Sequence, residues 1–133
     1  MGAACPAPRD AARARDRGPP LPAGGELDLP GGPVPVPTHG HTSGHTAFSL
    51  PRVGVVLTGD ALVTGHPTSA RRGPQLLPRF FSSDPDRTVA ALDALDRLDA
   101  DVVLPGHGEP FRGPVRDAGP GRGTRSPTVA GAG

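Results

Sequence analysis

The chain has 133 residues, room for one small domain. Its net charge of +1, from 14 basic and 13 acidic residues, indicates no polyanionic partner such as nucleic acid. All 14 basic residues are arginine, a compositional bias that singles out no individual arginine as a phosphate binder. Cys5 is the only cysteine, so an internal disulfide and a thiolate metal cage are both excluded.

Glycine and proline together make up 39 of the 133 residues, a level that often signals low complexity. Their distribution argues otherwise. Residues 26–118 hold 25 of the 27 Leu, Val and Phe residues, so a packable segment is expected there. Residues 1–25 and 119–133 cannot bury a core and are expected to be disordered tails. The N-terminal stretch has no apolar run, which excludes a secretory signal. The longest apolar run, Val53 to Leu57, is too short to span a bilayer. The default expectation is a soluble cytoplasmic protein with no membrane partner.

From Glu26 to Thr38, β-like alternation is interrupted by Pro30, Pro33, Pro35 and Pro37, which confines it to edge strands or extended connections. Ala47 to Leu50 reads as a short strand and Pro51-Arg52 as a turn. Val53 to Leu57 is the best strand, apolar on both faces, and it runs straight into Thr58-Gly59-Asp60. Residues 64–83 form a long connection of the kind that often rims a site. A helix follows. Asp84 is its natural N-cap, Pro85 its first residue, and Asp86 favours the positive end of its dipole. Val89, Leu92, Leu95 and Leu98 form its apolar stripe. Val102 to Leu104 is a short buried strand ending at Pro105-Gly106-His107. Strand, helix and strand in that order predict a sheet covered by at least one helix.

Three glycine-flanked segments carry the chemistry: Thr38 to His45, Leu57 to Leu62, and Leu104 to Gly108. Each sets a histidine or aspartate in a short loop, and two follow β-like runs directly. Metal sites are assembled in this way from distant stretches of chain, and a His and Asp set suits zinc or a similar borderline ion. Gly40, Gly44, Gly59 and Gly106 are expected to serve backbone shape, because a bulky residue would block approach to the ions. His39 and His66 read as exposed loop residues, and Glu109 as a surface carboxylate.

These three segments resemble the metallo-β-lactamase superfamily. Thr38 to His45 matches its Thr-Pro-Gly-His-Thr-x-Gly-His motif, with His39 in place of proline. Thr58 to Leu62 matches Thr-Gly-Asp-Ala-Leu, and Pro105 to Gly108 matches Pro-Gly-His-Gly. The resemblance runs from about Gly25 to Asp117 and covers roughly the C-terminal half of a family domain. It implies an α/β fold, a partial αββα sandwich of one sheet plus a covering helix.

The resemblance also implies a dinuclear zinc-type site. His41 would ligate the first ion, His107 the second, and Asp60 would bridge both and so take part in catalysis. His45 would line the substrate side or support a ligand by hydrogen bonding, with a plain turn-stabilising bond as the alternative. The implied activity is hydrolysis of a small-molecule ester, thioester, lactone or amide by metal-bound hydroxide.

The first family motif, His-x-His-x-Asp-His, has no counterpart, because no histidine precedes His39. Three ligands shared between two ions give each ion two, short of the three or four of stable zinc sites. Weak or absent zinc binding is therefore expected of this chain alone. The alternative to a hydrolase is an inactive remnant or binding module completed by a separate N-terminal half. Half a sandwich also leaves one sheet face uncovered, which predicts marginal stability or aggregation.

Overall fold

The computed structural model describes residues 19–22 and 24–119, and most of both expected tails lies outside the described residues. The chain forms an α/β unit of one five-stranded sheet and one α-helix. The strands are β1 (Val34–Pro37), β2 (Thr46–Leu50), β3 (Val55–Gly59), β4 (Val102–Pro105) and β5 (Phe111–Arg112), and they lie side by side in chain order. Helix α1 (Pro85–Asp96) crosses between β3 and β4. The β3–β4 pair is parallel and the other three pairs are antiparallel. A parallel pair needs a long crossover, which the 64–83 connection and α1 supply.

Several boundaries differ from those read off the sequence. The central strand starts at Val55 rather than Val53, because Gly54 takes a left-handed conformation (φ 64°, ψ 34°) at the end of the 3-10 turn Pro51–Val53. Val53 is thereby turned out and is 67% exposed. β1 carries Pro35 and Pro37 and lies at the sheet edge, where a missing N–H is tolerated. The two-residue strand β5 is too short to leave a periodic signal.

Side chains on one face of the sheet form the core. Ala47, Val56 and Val103 pack with Leu62, Leu95, Ala100 and Val115, and Val36 and Phe111 close the edges. Helix α1 begins as its sequence indicates: the Asp84 carboxylate accepts the Arg87 N–H at 3.1 Å, and Pro85 follows it. Three of the four expected stripe residues face the core, Leu95 buried and Leu92 and Leu98 packed against it, while Thr88 and Ala91 complete the inward face. Val89 is 51% exposed. Thr88 docks against Gly40, where any Cβ would lie 2.3 Å from the Thr88 nitrogen.

The opposite face of the sheet is apolar and partly covered, with Pro35 of β1 buried beside Phe48. Strand alternation places Phe48, Leu57 and Leu104 in one cross-strand row and Leu50, Val55 and Val102 in the next. None of the six is buried, and Leu57 is 38% exposed. No helix among the described residues is long and apolar enough to cross a membrane.

Candidate metal centre

Topology brings the three histidine- and aspartate-bearing loops to one edge of the sheet. β3 and β4 are parallel, so the loops that leave their carboxyl ends emerge together, and Gly59 pairs with Pro105. The loop joining β1 to β2 lies at the same edge, because β2 runs antiparallel to β3. Asp60 therefore sits beside His107, and His41 approaches from the other side.

Asp60 stands at the tip of a rigid turn. The buried Thr58 hydroxyl donates to the Leu62 carbonyl at 2.7 Å, and the Ala61 N–H donates to the Thr58 carbonyl at 3.1 Å. Gly59 enters this turn at φ +54°, and a Cβ there would press on the His45 ring. His41 is fixed from the helix side: the Asp84 and Ser83 N–H groups donate to the Gly40 and His41 carbonyls at 2.8 and 3.1 Å. His107 is held through its backbone, whose carbonyl accepts the Thr64 N–H at 3.0 Å. The Thr64 hydroxyl also donates to the Glu109 carbonyl.

The side chains meet around one carboxylate. His41 Nε2 lies 3.2 Å from Asp60 Oδ2, and His107 Nε2 lies 3.4 Å from Asp60 Oδ1. These separations are long for charge-assisted hydrogen bonds. They match ligands on one ion, since two donors about 2.1 Å from a tetrahedral ion stand roughly 3.4 Å apart. Because each imidazole faces a different oxygen, the donors form two pairs rather than one triad. Accordingly, no group of three or more His, Cys, Asp or Glu among the described residues is set to hold a single ion. The donor set fits one edge of each of two ion positions and completes neither.

His45 supports Asp60 from below. Its Nε2 accepts the Asp60 N–H at 3.2 Å, so the neutral ring carries its proton on Nδ1 and donates to the Thr38 hydroxyl at 2.8 Å. Burial, and then the neighbouring His41 ring, hold its pKa below the ordinary histidine value. A protonated ring could not accept the Asp60 N–H, so a neutral His45 is the form that preserves this turn.

Two histidines read as exposed loop residues are not free. His66 packs edge-on against His107, with ring centroids 5.1 Å apart, and also touches Phe81 at 5.2 Å. His39 is half-buried, and its Nδ1, like that of His41, is enclosed with no hydrogen-bond partner among the described residues. A ligating imidazole ordinarily donates its second N–H to an orienting acceptor, so His41 lacks half of its support. Only ring contacts formed across distant loops reveal these roles, and sequence spacing carries no trace of them.

Gly106 lies directly against the carboxylate. A Cβ there would lie 2.7 Å from Asp60 Oδ1 and 3.0 Å from the Gly59 carbonyl carbon. Gly106→Ala is expected to cost about 1–3 kcal/mol by overpacking and to displace the Asp60 carboxylate from His107. Urea denaturation, together with the ring resonances of His107, will check both effects. Gly44 is different: nothing lies within 4 Å of its Cβ position, so it has no such steric role.

Comparison with known proteins identifies the family. The metallo-beta-lactamase superfamily profile matches residues 4–107, beginning upstream of the Gly25 boundary of the motif resemblance. The metallo-beta-lactamase family protein TTHA1429 of Thermus thermophilus is 35% identical, with a TM-score of 0.52, over 74% of this chain and 32% of its own. A beta-lactamase domain protein of Burkholderia ambifaria is 26% identical, with a TM-score of 0.56, over 77% of this chain and 31% of its own. TTHA1623, solved in a di-iron-bound form, is 31% identical, with a TM-score of 0.49, over 83% of this chain and 55% of its own. The chain thus spans about a third of the length of the first two. No curated protein sequence matches it. With the profile covering most of its residues, the chain belongs to the metallo-beta-lactamase superfamily.

Proposed function

We propose that this chain supplies the His41, Asp60 and His107 edge of a two-metal hydrolase centre. The observation that carries the reading is the division of the Asp60 carboxylate, one oxygen toward each imidazole. His41 and Asp60 Oδ2 would hold one ion, and His107 and Asp60 Oδ1 the other. Two neutral imidazoles and one carboxylate leave a pair of divalent ions strongly net positive. This donor set suits zinc and ferrous iron alike. When bound, such ions supply the Lewis acidity that makes water nucleophilic near neutral pH, for hydrolysis of an ester, thioester, lactone or amide. The chain's own part is to aim the donors: His45 pins the Asp60 backbone, and Gly106 lets β4 approach the carboxylate.

Two donors per position is one fewer than a catalytic site provides, so the remaining ligands come from outside the described residues. A separate N-terminal half carrying a His-x-His-x-Asp-His stretch would meet that need and would seat on the apolar sheet face. A second reading, a binding module without catalysis, is favoured by the same shortfall and by the unsupported His41 Nδ1.

Calorimetric titration of the chain with zinc and, under anaerobic conditions, with ferrous iron tests the assignment. Binding is expected to be weaker than roughly 1 μM, about −8 kcal/mol. Asp60→Ala is expected to remove it entirely, whereas His41→Ala and His107→Ala each remove one part. Binding that survives Asp60→Ala would overturn the assignment.

A further inference from the structure

A cleft of about 400 Å³ opens beside the metal centre, and its lining includes His66, Ser69, Arg71, Arg72 and His107. His107 belongs to both places: it lines the cleft, and its Nε2 faces Asp60. The residues lining the cleft include two arginines and no acidic residue. Neither arginine forms an ion pair with any described residue, whereas Arg52 is paired with Glu26 and Arg79 with Asp86.

The loop that carries them is built rather than slack. Gln75, only 6% exposed, spends its whole amide on it. Its Nε2 donates to the Arg71 and Gly73 carbonyls at 2.7 and 3.1 Å, and its Oε1 accepts the Ser69 hydroxyl at 2.8 Å. The Ser69 oxygen in turn accepts the Arg71 N–H at 3.2 Å, so the backbone of Arg71 is held on both sides. Gly73 donates to the Thr64 carbonyl at 2.8 Å, and Val63 bridges Gln75, tying the loop to the segment that follows Asp60. A buried amide holding a doubly cationic loop against a candidate metal ligand is the arrangement expected of a preorganised anion site.

We propose that Arg71 and Arg72 form a subsite for an anionic group, a carboxylate or a phosphate, on the small-molecule substrate. The proposal rests on the metal-centre reading for its catalytic meaning but not for its binding chemistry. With its anionic head in this cleft, a substrate would extend past His107 toward Asp60. Neutral substrates would gain nothing from the cleft, so the enzyme would discriminate by charge.

The test is an NMR titration of the metal-free full chain with inorganic phosphate and, separately, with acetate. Saturable shifts are expected at Ser69, Arg71, Arg72, Gly73 and His107, and R71A/R72A should weaken binding roughly tenfold or more through lost charge-assisted bonds. Both arginines are exposed, so this variant should keep its fold, and the single variants R71A and R72A repeat the test if it does not. Saturation by phosphate alone supports a phosphorylated substrate, and saturation by acetate supports a carboxylate. Shifts with neither anion, or shifts unchanged in R71A/R72A, overturn the proposal. H41A, which removes a metal donor outside the cleft, should leave the anion titration unchanged, so failure of the metal reading remains distinguishable. R79A is the charge control and should change nothing.

Discussion

Leu95→Ala is expected to remove about 3 kcal/mol of stability and to loosen the candidate metal centre at the same time. The core is small and its fillers are mostly short: four of its nine buried members are alanine, at positions 47, 61, 100 and 118. Leu95 and Leu62 are its only large aliphatic side chains, each 1% exposed. Removing three carbons from Leu95 leaves a cavity against Val56 and Val103, whose strands are held by the sheet and cannot close on it. Leucine-to-alanine changes of this kind cost about 2–5 kcal/mol, a large share of the roughly 5–15 kcal/mol of a typical domain. The consequence reaches the site because the residues leading into α1 hold the His41 loop, through the Asp84 and Ser83 N–H groups. A helix that docks poorly leaves Gly40 and His41 unanchored. Urea denaturation should show a lower midpoint at similar slope, and the His41 resonances should broaden. Val89→Ala is the contrast, because an exposed position is expected to stay within about 0.5 kcal/mol. A loss below about 1 kcal/mol for Leu95→Ala would mean that the helix is not held by this contact.

What could be read from the sequence was what local chemistry determines. Asp84-Pro85-Asp86 announces a helix start because capping depends on neighbours within one turn, and the cap is where it was expected. The clustering of His41, Asp60 and His107 was legible because each motif sits at a strand end, and strand ends on one edge of a sheet converge. The inward place of Thr88 in the first turn of α1, with Val89 turned out, was not legible, because Thr88 packs against Gly40 in a distant loop. Val53 was assigned to a strand on hydrophobicity alone, whereas the left-handed Gly54 decided its fate. His66 looked like a loop residue because nothing near it in sequence reports its contact with His107. Arg71 and Arg72 were hidden by composition: in a chain whose basic residues are all arginine, an Arg-Arg pair carries no message. Only the brace from Gln75 and the shared cleft with His107 distinguish them from the others.

Replacing Phe48, Leu57 and Leu104 together by threonine is expected to abolish self-association at a cost in stability. These three form the central cross-strand row of the apolar face, and the flanking row of Leu50, Val55 and Val102 extends it. Six adjacent apolar side chains, none of them buried and Leu57 38% exposed, make an apolar patch suited to association. Two copies can hide it by stacking face to face at the roughly 10 Å spacing of packed sheets. Threonine has the β-branched shape that strands favour and converts the row to a hydroxyl surface. The stability cost falls mainly on Phe48 and Leu104, which are less exposed than Leu57, at about 1–3 kcal/mol each. Sedimentation velocity should show concentration-dependent association of the native chain and a single monomeric species for the triple variant. A native chain that stays monomeric at high concentration would show that the face is already covered by residues outside those described. The same variant bears on the proposed N-terminal half, which would bury this face in place of a second copy. If one apolar surface serves both unions, the three threonines should abolish dimerisation and complementation together, while Asp60→Ala abolishes metal binding and leaves association intact.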